Sequence, residues 1–280
     1  MNLFNGREVL IVTKHHKEKV IAPILIDELG LKPFVVDYFD TDVLGTFTGE
    51  VERTGTPYDI VKKKCLEVAK LTKADLIIAN EGSFGPHPQL FFANADSELI
   101  MLIDIKNNIE FTASEISLNT NFFAQQVYSK DELIQVAEKV KFPSHALILK
   151  AAEGDFNNMK KGICTEEDLS DAFNELYPIH GSVFLQTDMR AMYNPSRMEV
   201  IKDVTYKLVN KLKSLCPSCS FPGYEVVERV SGLKCEQCGF PTRSTLYHVY
   251  KCKQCDFTEQ KIYPNNKQYE DPMYCDVCNP

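Results

Sequence analysis

Eight of the ten cysteines in this 280-residue chain fall in four Cys-x-x-Cys pairs, Cys216/Cys219, Cys235/Cys238, Cys252/Cys255 and Cys275/Cys278. In a reducing compartment that is a metal pattern before it is a disulfide pattern. Each pair aims two thiolates at one ion, and two pairs complete the tetrahedral four-sulfur shell that zinc accepts without further ligands. The pairs are separated by 15, 13 and 19 residues. Joining first with second and third with fourth encloses 15 and 19 residues, inside the window of roughly 15–20 typical of zinc ribbons. This is the expected pairing. A cross-braced arrangement, first with third and second with fourth, is the alternative, and iron in the same shell also stays open. Closed four-cysteine sites keep no position for substrate, so two structural Zn2+ are expected, supplying folding free energy to a segment too short for a sizeable core. Cys65 sits in a helical stretch and reads as a core thiol, while Cys164 has no adjacent histidine to make it a nucleophile.

Charge narrows the partners. The chain carries a net −8, and from residue 212 onward eight Lys/Arg balance eight Asp/Glu. Eight thiolates on two Zn2+ make that balance acidic, so the module would repel nucleic-acid phosphates, and docking of a protein partner is the better expectation. No apolar run reaches about 18 residues, and the chain enters a strand-like run at once with no visible leader. The expectation is a cytoplasmic protein with no membrane segment.

Upstream of the cysteines, short β-branched runs alternate with longer amphipathic stretches, which predicts an α/β domain over residues 1–214: a mixed sheet flanked by helices. A small double zinc-ribbon-like module follows over 215–280. Strands are expected at 9–13, 34–38, 75–80, 99–104, 145–149 and 182–187, and in the module at 225–230 and 245–250. Helices are expected at 17–29, 57–71, 130–140, 165–176 and from Pro195 to about 215. Thr56-Pro57-Tyr58-Asp59 supplies an N-cap, a first-turn proline and a capping-box carboxylate.

Four segments carry candidate chemistry. Lys14 and Lys17 stand in a basic turn at a helix start, where they oppose the macrodipole unless an anion sits among them. The loop from Asp40 to Pro57, with Asp42, Glu50 and Glu52, offers hard oxygen ligands suited to Mg2+. A buried-looking strand delivers Glu81 at its C-terminal end, before Gly82 and Gly85, where open α/β sheets bind ligands. Arg190 and Arg197 flank another helix start, and Arg197 needs an anion or a carboxylate such as Asp188.

The order Thr13-Lys14-x-x-Lys17, acidic loop, Glu52-x-x-Gly55-Thr56, Lys62 to Lys64 and Ala74-Asp75 through Glu81-Gly82 resembles the house-cleaning nucleoside triphosphate pyrophosphatases of the inosine/xanthosine triphosphatase superfamily, in particular the non-canonical purine triphosphatases. That resemblance implies phosphate binding by Lys14 and Lys17, Mg2+ at Glu52 and Glu81, and a base- or phosphate-gripping role for Ser196-Arg197. The chain departs from the pattern at Pro57 and at His15-His16. Over most of its length, through Gly45-Thr46-Phe47-Thr48-Gly49-Glu50, Glu81-Gly82-Ser83-Phe84-Gly85-Pro86-His87-Pro88 and Thr187-Asp188-Met189-Arg190-Ala191-Met192-Tyr193-Asn194-Pro195, the chain is similar to an uncharacterised bacterial family that joins such a domain to a terminal cysteine module. Two functions follow as expectations. The first is a Mg2+-dependent phosphohydrolase or pyrophosphatase acting on a nucleotide or related phosphate ester, with Glu52 and Glu81 catalytic and Lys14, Lys17, Arg190 and Arg197 holding the anion. The alternative is a non-enzymatic anion- or nucleotide-binding protein whose zinc module docks a partner.

Overall fold

A computed structural model describes residues 3–36 and 55–280. It divides the chain into two units, Met1–Val209 and Asn210–Pro280, and no helix among the described residues is long and apolar enough to cross a membrane.

The first unit is mixed α/β. Its first sheet has the order β2-β1-β3-β4-β5, built from β1 (Glu8–Val12), β2 (Lys32–Phe34), β3 (Leu76–Pro86), β4 (Asn94–Asp104) and β5 (Ile109–Ser117). β1 pairs in parallel with both β2 and β3, and β4 and β5 then add antiparallel. Helices α1 (Glu18–Leu29) and α2 (Pro57–Thr72) make the crossovers. Because β1→β2 and β2→β3 move in opposite directions across the sheet, right-handed connections put these helices on opposite faces. α2 covers the face carrying Leu10, Val12, Ile77, Ala79, Met101 and Ile103. It opens on the expected capping box: Thr56 Oγ1 accepts from Asp59 N–H at 3.2 Å, and Thr56 N–H donates to Asp59 Oδ2 at 3.0 Å. α1 closes on Gly30, left-handed at φ 66°, whose N–H reaches the Ile26 and Leu25 carbonyls.

A second, wholly antiparallel sheet has the order β6-β9-β7-β8, from β6 (Ala124–Val127), β7 (Leu147–Lys150), β8 (Lys160–Ile163) and β9 (Val183–Thr187). Helices α3 (Lys130–Lys139) and α4 (Glu166–His180) share one core with it, including Leu133, Val136, Leu149, Phe173 and Leu185. α5 (Pro195–Lys213) buries the stripe Val200, Ile201, Val204, Leu208 and Leu212.

Two expectations need correcting here. β3 does not stop at residue 80; it runs to Pro86 and makes Glu81 an interior strand residue, because Gly82 to Pro86 pair with Asn94 to Glu98 of β4. Parallel pairing with β1 nevertheless ends at Ala79, so Glu81 lies just past the carboxyl end of the parallel strands. β5, β6 and β8 were not expected, since segments such as Ile109–Ser117 alternate apolar and polar residues on a half-exposed edge instead of forming an apolar run.

In the second unit, β10 (Glu225–Ser231), β11 (Thr245–Lys251) and β12 (Thr258–Ile262) form an antiparallel meander. The four Cys-x-x-Cys pairs lie before, between and after its strands.

Candidate functional site

Three consecutive residues of β3 each meet a cation from a different helix. Lys17, the N-cap of α1, donates from Nζ to Asn80 O at 3.2 Å and Oδ1 at 2.9 Å. Lys64 of α2 pairs its Nζ with Glu81 Oε2. Arg197, in the first turn of α5, lies against Gly82: a Cβ there would stand 2.4 Å from Arg197 Nη2 and 2.4 Å from Glu98 Oε1. Alternation along β3 and β4 explains the distribution, since Gly82 and Glu98 are register partners on one face while Glu81 points to the face covered by α2. All six side chains, Lys17, Lys64, Asn80, Glu81, Glu98 and Arg197, are buried.

Arg197 clamps the two sheets together. Its Nε donates to Glu98 Oε1 at 2.7 Å, its Nη1 donates to the Met189 carbonyl beyond β9, and its guanidinium sits 4.9 Å from the Phe84 ring centroid. Burial works against the charge, but Glu98 holds the guanidinium above its ordinary value. Beside this pair lies Asp96, 0% exposed, with Glu98 at 1%. Asp96 Oδ1, Asp96 Oδ2 and Glu98 Oε2 are the buried side-chain oxygens or nitrogens without a hydrogen-bond partner among the described residues. Burial, then the Glu98 charge, pushes Asp96 up to about 8, while burial, then the Arg197 charge, brings Lys17 down to about 7. Gly82→Ala should cost about 3 kcal/mol, because its methyl displaces a buried ion pair that cannot move into solvent; urea denaturation of the two proteins measures it.

A polar network adjoins Arg197. Ser196 Oγ lies 2.9 Å from His145 Nε2 and accepts from Lys141 Nζ at 3.1 Å. The Ser196 N–H also donates to Nε2, at 3.3 Å, so that nitrogen is the acceptor and Nδ1 carries the proton toward Ser144 Oγ at 2.9 Å. Burial, aided by the Lys141 charge, lowers the His145 pKa.

Of the anticipated residues, Lys17, Glu81 and Arg197 therefore gather at the end of the parallel strands, Glu81 on the face covered by α2 and Arg197 on the other. Lys14 is exposed on the β1–α1 loop. Glu52, with Asp40, Asp42 and Glu50, lies outside the described residues. Asp188 engages Arg190, not Arg197: Arg190 Nε donates to Asp188 Oδ1 at 3.0 Å, and the guanidinium stacks 4.6 Å from the Tyr193 ring. Arg197 takes Glu98 instead, because Gly82 leaves room for that pair alone on its face of the sheet. Lys64, Asp96, Glu98 and His145 were missed. The alternation Asp96-Ser97-Glu98, running straight into the apolar Leu99-Ile100-Met101-Leu102-Ile103, was the available signal for two of them, placing both acids on one strand face.

The cysteines assemble into two sets, Cys216, Cys219, Cys252 and Cys255, and Cys235, Cys238, Cys275 and Cys278, with all four sulfurs of each set within 4.8 Å of one another. This overturns the expected pairing of neighbours and establishes the cross-brace. Each strand of a meander reverses direction, so the first and third pairs emerge at one end of the sheet and the second and fourth at the other; Glu225 is opposite Lys251, and Tyr247 opposite Ile262. Sequential pairs are thus a strand length apart, about 23 Å for seven residues. Cys216–Cys255 and Cys219–Cys252 sulfurs are 3.7 and 3.6 Å apart, and Cys235–Cys278 and Cys238–Cys275 3.9 and 3.6 Å. A tetrahedron with Zn–S bonds of about 2.3 Å has edges of about 3.8 Å. Three of the knuckles repeat one backbone form: the first cysteine's N–H donates to the carbonyl of Phe221, Phe240 or Phe257 at 2.9 Å, and Ser220, Gly239 or Asp256 turns through positive φ. Backbone N–H groups of Cys278 and Val277 draw the Cys275 thiol down to about 7. Cys65, by contrast, is a core thiol that burial pushes up to about 12.

Residues 64–280 match the model of DUF6671, a domain of unknown function. The chain belongs to this family. The DUF6671 span contains Lys64, Glu81, Asp96, Glu98, Arg197 and both four-cysteine clusters, whereas β1, α1 and Lys17 precede it. No curated protein and no solved structure matches the chain. Within DUF6671 each of the two clusters could hold a metal ion, with donor chemistry consistent with zinc; the likeness of the N-terminal part to the triphosphatases rests on the residues quoted for it alone.

Proposed function

We propose that the chain is a zinc-stabilised hydrolase of a nucleotide or related phosphate ester, with its chemistry in the α/β unit and two structural Zn2+ in the cross-braced unit. The observation that carries the first part is the meeting of Lys17, Lys64 and Arg197 around Asn80, Glu81 and Gly82, at the carboxyl end of a parallel strand pair where α/β sheets take ligands. Lys14 and Lys17 would face the phosphate, with Arg197 behind them, and Glu81 would orient the attacking water and take its proton. A screen of purified protein against nucleoside triphosphates with Mg2+ tests the reading. Phosphate or pyrophosphate release is expected, falling by about 100-fold or more in Glu81→Gln; absence of turnover, or turnover indifferent to that change, sinks it.

A second reading is a non-enzymatic anion- or nucleotide-binding protein whose zinc unit docks a protein partner. It is favoured by the exposed Tyr269, Met273, Tyr274 and Val277 around the fourth cysteine pair. It predicts a nucleotide-induced rise in Tm with no hydrolysis.

A further inference from the structure

We infer that Asp96 and Glu98 of β4 hold a hard divalent cation of the magnesium or manganese kind. The two acids are separated by one residue and so share a strand face. Both are shut off from water, yet three of their four carboxylate oxygens have no donor. Burying an ionised carboxylate without a partner costs several kcal/mol, so these oxygens demand a positive ligand. A proton shared between the two acids would join two oxygens and leave the third orphaned. A dication bound by one carboxylate through two oxygens and by the other through one satisfies all three. Oxygen-only donors select a hard ion and leave zinc to the thiolates.

The surroundings fit. Arg197 occupies the remaining oxygen, Glu98 Oε1, at 2.7 Å, and so fixes the orientation of that carboxylate as groups behind a metal ligand do. Lys17, Lys64 and Arg197 formally balance Glu81, Asp96 and Glu98 in the cluster, so a bound dication makes the site net positive. Magnesium characteristically takes one or two protein carboxylates, as here. The site therefore deepens the phosphate-ester reading on which its biological use rests, and it moves the cation from Glu52 and Glu81 to two different residues.

Full-length protein with zinc in both cysteine clusters, titrated with Mn2+ and followed by the free-ion EPR signal, tests the assignment. One Mn2+ site per chain is expected, displaced by Mg2+, weakened by about 100-fold or more in Asp96→Asn, which removes a ligand itself and not a group behind one, and kept in Glu81→Gln. Wild-type protein that takes up no Mn2+ overturns the inference without recourse to any variant. So does an Asp96→Asn protein that binds Mn2+ as wild type does, or one that gains thermal stability and leaves Mn2+ binding intact, which would mark Asp96 as a proton-sharing acid. Mn2+ bound in a protein that hydrolyses no phosphate ester removes the hydrolase reading and leaves the metal site standing. Metal-dependent turnover that survives in Asp96→Asn does the reverse.

Discussion

Stripping the chain of metal with a strong chelator should unfold residues 210–280, with loss of near-UV circular dichroism from the tyrosines and rapid proteolysis beyond α5. The reason is the size of the core. Apart from cysteines, the buried apolar side chains of Asn210–Pro280 are Leu212, Pro222, Tyr224 and Leu233. The first cluster adds only an aromatic wall, in which Tyr224 stacks on Tyr250 at 5.5 Å and meets Phe257 at 6.1 Å, around Cys216 and Cys252. Such burial cannot offset the ordering entropy of about 70 residues. Structural zinc contributes about 10–16 kcal/mol per site in small metal-folded peptides, comparable to the whole stability of an ordinary domain, about 5–15 kcal/mol. Six of the twelve tyrosines lie in this unit and the chain has no tryptophan, so the loss of signal should be partial, the other six tyrosines keeping theirs. Restoring zinc should restore the spectrum. A metal-free protein with an unchanged spectrum and protease pattern would show that the thiols do not hold the fold.

Arg197→Met should be the most damaging single change in the α/β unit. It removes the cation that lies between two sheets and leaves Glu98, buried beside Asp96, without the guanidinium that pairs with it. Breaking a buried pair from one side costs about 3–5 kcal/mol. For a unit of about 200 residues that is a fall in Tm of roughly 10 °C, at 2–4 °C per kcal/mol. Adding Glu98→Gln should recover part of the loss, since the orphaned charge goes with it, and the double-mutant cycle should give a coupling of about 2 kcal/mol. Additivity within about 0.5 kcal/mol would mean that the two residues act independently.

Local signals in the chain were explicit wherever one side chain decides the backbone. Thr56, Pro57 and Asp59 announce the start of α2, and the apolar stripe from Ile201 to Leu212 announces α5. Edge strands were not legible, because β5 and β8 alternate or carry lysines and glycine where an apolar run would have shown a buried strand. In the site, the basic residues Lys17 and Arg197 were visible through their conflict with a helix dipole, but their partners were not. Asn80 and Glu98 come from other strands, and only the β3–β4 register and the missing side chain of Gly82 bring Glu98 to Arg197. The cysteine pairing failed for a reason the spacing hides. Gaps of 15 and 19 residues suit a ribbon in which two knuckles face each other, but strand-forming runs in the gaps carry consecutive knuckles to opposite ends of a meander. Counting strands between knuckles, rather than residues, would have given the cross-brace.

Zinc content of paired cysteine variants, after dialysis against a competing chelator, reads that arrangement most directly. Cys216→Ser with Cys252→Ser removes two ligands from one cluster and should leave one tightly held zinc per chain, whereas Cys216→Ser with Cys235→Ser damages both clusters and should leave none. The opposite result, one zinc retained by the 216/235 variant and none by the 216/252 variant, would contradict the cross-brace and the fold built on it.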